Sequence, residues 1–210
     1  MGIFSGLGGI GEQKVFINAR KLIETSQKAS RMFDQAVTGS LDMEKIHALK
    51  TKSYEEMSSL SNSITAGAVS PNLIPDMLGL ISIEYNTVDL IFVLARSFRR
   101  YRLASAVHRR YVTDQLVANN RLVARALASL YIMHTVGRAD EIKRLRNRVR
   151  LFEEEGDEIK EDMLNYAYSS KTDFKSFYHM SNIAYLSDDV LDSCEDTAEM
   201  IANIMLSIAT

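Results

Sequence analysis

Apolar residues recur every three to four positions along most of the chain. The clearest stripe lies in the last helical segment. There Ile183, Leu186, Val190, Cys194, Thr197, Ile201, Ile204 and Ile208 fall on one face at about 100° per residue. No strand-like alternation or Asn-Gly hairpin signal stands out. Gly39, Gly67 and Gly137 fall between long periodic segments, and Ser70-Pro71 reads as an N-cap followed by proline at the first helical position. The pattern predicts six helices near 12–38, 41–66, 71–102, 104–136, 139–169 and 172–209. Each is far longer than the mean of about 11–12 residues, and the short joins force neighbours antiparallel. The predicted fold is therefore all-α. Six long antiparallel helices form two tandem three-helix bundles, 1–102 and 103–210, packed as one chain.

The third helix carries Leu90, Ile91, Phe92, Val93 and Leu94 in succession. A helix apolar all round is covered on several sides. Its outer side needs the other half of the chain or a second copy, so a homo-oligomer is one expectation.

Composition narrows the class only a little. Of 210 residues, 46% are hydrophobic and 25% charged, with a net charge of −2. Such a balance gives no global attraction to nucleic acid or acidic membranes. One cysteine, Cys194, cannot close an internal disulfide and sits on the apolar stripe, as a small core residue would. The best apolar runs, 90–95 and 126–133, fall short of the ~20 residues of a membrane span. The start of the chain lacks the basic and apolar stretches of a signal peptide. The expected location is the cytoplasm, peripheral to a membrane at most.

Charge is unevenly placed. Residues 153–162 hold seven acids, and residues 188–199 hold six with no basic residue. Glu153 with Asp157, and Asp188 with Asp192, are i, i+4 pairs, each on one helix face. Like charges so placed destabilise a helix by ~0.2–0.5 kcal/mol per pair. A solvated face is the plain reading; a cation that neutralises them is the sharper one. Oxygen donors alone suit Mg²⁺, Ca²⁺, Mn²⁺ or ferric iron better than structural zinc. On the last helix Asp188, Asp192, Glu195 and Glu199 lie roughly opposite the apolar stripe, which predicts that none is a core residue. Moving back 103 positions turns the four acids into Lys50, Tyr54, Tyr85 and Asp89. Apolar residues match under the same shift: Leu80 with Ile183, Val88 with Leu191, Ala95 with Ala198. That agrees with a duplicated three-helix unit.

Phe152-Glu-Glu-Glu-Gly-Asp157-Glu-Ile159, Leu186-Ser-Asp-Asp-Val-Leu-Asp192, Asp196-Thr-Ala-Glu-Met-Ile201 and the opening Met1-Gly-Ile-Phe-Ser occur in an order and spacing that resembles the PhoU-like helical family. The likeness covers nearly the whole chain. It is greatest to the branch of phosphate-transport regulators associated with Pit-type transporters. The resemblance implies two three-helix bundles with metal ions, often iron, on surface carboxylate pairs. It also implies an inorganic phosphate transporter as partner. By position, the metal ligands are Glu153, Asp157, Asp188 and Asp192. The first half departs from the pattern: only Asp89 remains, and the Lys50 ammonium would repel a cation. One metal-competent half and one degenerate half are expected.

Gly6-Leu-Gly8-Gly-Ile-Gly11 matches a dinucleotide fingerprint but lacks the preceding strand and βαβ context. Glu44-Lys-Ile-His47 matches one di-iron element, whereas such sites need two of them plus two further Glu. Arg96, Arg99, Arg100, Arg102, Arg109 and Arg110 cluster around the join between the halves; Lys143, Arg144, Arg146, Arg148 and Arg150 form a second basic stretch. Solvated helix ends, or a docking surface, account for them. No zinc finger, nucleophile–base arrangement, HExxH or phosphate loop is present, so neither nucleic acid nor catalysis is expected. The leading expectation is a metal-binding accessory protein for phosphate transport. A di-metal bundle enzyme or metal-storage protein, and a helical scaffold without metal, are the alternatives.

Overall fold

The stripe on the last helix is buried as its spacing requires: Ile183, Val190, Cys194, Thr197, Ile201 and Ile204 lose all or nearly all contact with solvent, and Leu186 is half-buried. The structure, a computed structural model, describes residues 9–39, 42–104 and 108–209. The glycine-rich lead through Gly8, the opening Met1 to Ser5 and the Ile208 side chain lie outside the described residues. The elements are α1 (Ile10–Thr38), α2 (Met43–Ser63), α3 (Ile74–Ala104), α4 (Arg109–Met133), α5 (Ala139–Ser169) and α6 (Phe174–Ala209). There is no strand among the described residues. All-α with six long helices is the fold, and the predicted ends differ from the observed ones by a few residues.

The largest difference lies at the α2–α3 join. α2 runs into one wide turn, Ile64–Ala68, where Gly67 adopts φ 92° and so ends the helix. Ser70 then caps a short tight turn, Pro71–Leu73, that leads into α3. Its hydroxyl does not cap the helix. Ser70 Oγ and N donate to Glu12 Oε1 at 2.6 and 3.0 Å, tying the start of α1 to the start of α3. Those two bonds hold the Glu12 carboxyl below its usual range.

Side-chain pairs give the packing directions. Ser30 meets Asn120 and Phe16 meets His134, so α1 and α4 run antiparallel. Thr87 meets Ser193, and Ser97 meets Asn182, so α3 and α6 do too. One apolar core runs through all six helices, and it crosses the 102/103 boundary through both of those helix pairs. The apolar run of α3 is covered from within the chain, by α6 of the other half and by α1 and α2 of its own, where Phe92 lies against His47: Ile91 and Leu94 are buried, and Leu90, Phe92 and Val93 half-buried.

The expectation that nothing in the chain is long and apolar enough to cross a bilayer is corrected. Pro71–Arg102 passes that test by length and composition, although 44% of its most apolar window is buried inside the protein. Reading unbroken runs missed it because Glu84 and Asp89 interrupt the apolar residues. Glu84 is buried on His134, and Asp89 is paired with Lys50.

Candidate metal centre

The spacing of 35 residues between the two acidic pairs leaves their register across the hairpin open. Lys160 Nζ on Asp188 (2.7 Å) and Arg146 on Glu199 (3.4 Å) fix it. In that register Glu153 comes beside Asp192 and Asp157 beside Asp188, near enough for Asp192 to raise the pKa of Glu153 and for Asp157 to raise that of Asp188. Gly156 allows the approach. A Cβ there would overlap the Leu191 methyl of α6 and press on Asn119 of α4. The four predicted residues are thus brought together on facing helices.

They are not equally placed. Asp188 is buried, which corrects the expectation that no acid of this face is a core residue. Glu153 and Asp157 are half-buried and Asp192 is exposed. Lys160, one turn beyond Asp157, lays its ammonium between Asp157 and Asp188 and bonds both. Burial opposes the Lys160 charge, but the two carboxylates outweigh it and push its pKa up. Asp188 Oδ1 and Asn119 Oδ1 remain buried without a hydrogen-bond partner, while Asn119 Nδ2 donates to the Ser187 carbonyl at 2.9 Å.

At the other end of the cluster no lysine or arginine bonds Glu153 or Asp192 among the described residues. Glu153 is pushed up to about 7 by desolvation, then by Glu195, Asp157 and Asp192. Asp192 is pushed up to about 6 by desolvation, then by Asp188 and Asp189, against the pull of Lys160. Neither forms an ion pair among the described residues. Burial first, and then the neighbouring carboxylates, disfavour the ionised form of both groups. The donors are of the oxygen type that hard cations take, and the positive charge between Asp157 and Asp188 is the Lys160 ammonium. The carboxylates do not converge, however: among the described residues, no group of three or more His, Cys, Asp or Glu side chains is set to hold an ion.

The corresponding positions of the first half also meet. Lys50 pairs with Asp89 at 2.5 Å, and the Tyr54 and Tyr85 rings pack edge to face at 5.9 Å. The same four positions that carry acids in the second half carry an internal ion pair and an aromatic pair here. Among the described residues, Glu44 and His47 join no metal group; His47 packs on Phe92 instead.

The arginine cluster divides. Arg102 donates to the carbonyls of Ala36 and Gly39 at the end of α1, and Arg109 donates to the carbonyl of Arg102. Both cap helix ends. Arg96, Arg99, Arg100 and Arg110 stay exposed. In the second basic stretch, Arg144, Arg146 and Arg150 pair with Glu141, Glu199 and Glu154, and Arg148 lies over the Phe152 ring.

Two ionic contacts go beyond what the sequence pattern was read to hold. One is that of Lys160, whose i+3 spacing from Asp157 is the available clue. The other is a pair fifty residues apart, Glu84 and His134, both fully buried and joined at 2.5 Å. Comparison with protein-family models finds no match, and comparison with curated proteins finds none either.

Proposed function

We propose that the chain is a PhoU-like accessory protein, cytoplasmic, that modulates an inorganic phosphate transporter of the Pit type by contact and not by catalysis. The observation that carries this reading is the α5–α6 carboxylate cluster: among the described residues, Glu153, Asp157, Asp188 and Asp192, with Glu195 adjoining, hold one bonded cation, Lys160, which pairs with Asp157 and Asp188. The resemblance assigns those four acids to a metal ion. An oxygen-only site of this kind favours iron in the ferric state, or Mg²⁺, Ca²⁺ or Mn²⁺. Metal and Lys160 then compete for Asp157 and Asp188, so the loaded and unloaded protein differ at the surface where α5 meets α6. An accessory biases a transporter only through different affinity for its conformations.

The test is co-purification of a tagged chain from native membranes. Enrichment of a phosphate transporter subunit, weakened by charge reversal at Arg99 and Arg100, supports the reading. No such enrichment, together with unchanged phosphate uptake in cells lacking the protein, contradicts it. A metal-storage protein or a plain helical scaffold would then lead.

A further inference from the structure

The α5–α6 hairpin ends in bare aromatic rings. Phe174 is 81% exposed, Tyr168 74% and Tyr178 57%. Phe174 and Tyr178 stand one turn apart on the same face of α6. Tyr168 packs edge-on against Phe177 at 5.0 Å between centroids, and Phe177 in turn packs on the core, so the tip is held in place.

The charge around these rings is positive. Lys171 and Lys175 bracket Phe174; both are exposed, and neither forms an ion pair among the described residues. Asp173, between them, turns its carboxylate onto Ser176, accepting from the backbone N–H at 2.9 Å and the hydroxyl at 2.8 Å. Arg99 and Arg100 of α3 are exposed and unpaired among the described residues. The Ser97–Asn182 contact sets them level with the first turns of α6. Apart from Asp173, the acids of α5 and α6 lie further back. Asp188 is about 20 Å from Phe174 along α6, and Glu161 and Asp162 are about 10 Å from Tyr168 along α5 at 1.5 Å per residue. A screening length of about 8 Å leaves the tip's positive charge dominant at the surface it meets.

We propose that this tip docks on an anionic lipid surface, with Phe174, Tyr168 and Tyr178 at the headgroup level and Lys171 and Lys175 on lipid phosphates. Aromatic rings with a polar end settle at the membrane–water interface, and nearby lysines bind anionic headgroups. Exposed tyrosine and phenylalanine beside lysines at a helix junction match that chemistry; a protein groove would need acids facing the lysines. The inference goes beyond the transporter reading and needs neither the metal nor the transporter, so either can fail alone.

The chain has no tryptophan, so Phe174→Trp creates a single reporter at an exposed position. Its emission is read with vesicles of phosphatidylcholine alone and of phosphatidylcholine mixed with phosphatidylglycerol. The unsubstituted chain is co-sedimented with both as a check free of any substitution. The expected result is a blue shift and co-sedimentation with the anionic vesicles and much less with the neutral ones. Reversing Lys171 and Lys175 to Glu should weaken binding by at least about fivefold per lysine. Tyr168→Ser with Tyr178→Ser should reduce the shift while far-UV circular dichroism stays unchanged. No binding to either vesicle, or binding indifferent to the lysines, overturns the proposal; the tip would then be a protein contact.

Discussion

Replacing His134 with leucine should cost about 3–5 kcal/mol, the usual loss when one partner of a buried charged pair is removed. The structure gives the reason for so large an effect. Neither Glu84 nor His134 has any surface in contact with solvent. The Phe16 carbonyl, 3.2 Å from His134 Nδ1, can only accept, so Nδ1 carries a hydrogen. His134 Nε2 and Glu84 Oε1, 2.5 Å apart, then share one proton. Burial pushes the Glu84 carboxyl up against the pull of His134, and Glu84 Oε2 already lacks a hydrogen-bond partner. Without the imidazole, Glu84 keeps no polar contact among the described residues, in a site with no solvent-exposed surface. A loss of 3–5 kcal/mol is a large share of the roughly 5–15 kcal/mol that holds a domain folded. The assay is urea denaturation followed by circular dichroism. The double variant Glu84→Met/His134→Leu should recover most of the loss, since two apolar groups of similar volume often replace a buried pair without penalty. A His134→Leu protein within about 1 kcal/mol of the parent, or a double variant as unstable as the sum of its singles, refutes the reasoning.

Three further outcomes follow from the α5–α6 face. Gly156→Ala should destabilise by about 1–3 kcal/mol, because its methyl overlaps the buried Leu191 side chain, which must shift in a packed core; denaturation midpoints measure this. Glu153 and Asp192 have folded pKa values of about 7 and about 6, above the unfolded 4.5 and 3.8. Their contribution is therefore complete below about pH 4 and lost as the pH rises to about 7. Glu153→Gln should raise the melting temperature at pH 8 and give no gain at pH 4; an equal gain at both would count against the cluster's repulsion. Lys160→Met should destabilise the metal-free protein by about 3 kcal/mol by stranding the buried Asp188, and added divalent cation should restore stability, as thermal melts will show.

Periodicity was enough to place six helices, because the spacing of apolar residues is itself the condition for burying one face. The stripe from Ile183 to Ile204 is the plain case. Lys50, Tyr54, Tyr85 and Asp89 meet in the same kind of register that joins Glu153, Asp157, Asp188 and Asp192, the positions 103 residues further on. Local spacing could not show which acid is buried. Asp188 lies off the apolar stripe of α6 but is covered by α5, whose close approach depends on Gly156 and whose Lys160 fills the gap. The Glu84–His134 pair was invisible for the same reason. Its two members come from different helices, and neither has a neighbour in sequence that marks it. The α3 composition misled in the opposite sense: acids that break an apolar run are harmless to burial when each has a partner inside the fold.

Metal content tests the central claim most directly. The chain is purified without added metal, and bound metal is measured by elemental analysis beside Asp157→Asn/Asp192→Asn and Lys160→Met. The account predicts metal in the parent, most of it lost from the Asn double variant with helicity intact, and more of it in Lys160→Met. Equal metal in all three, or none in any after incubation with iron, magnesium, calcium or manganese, contradicts it.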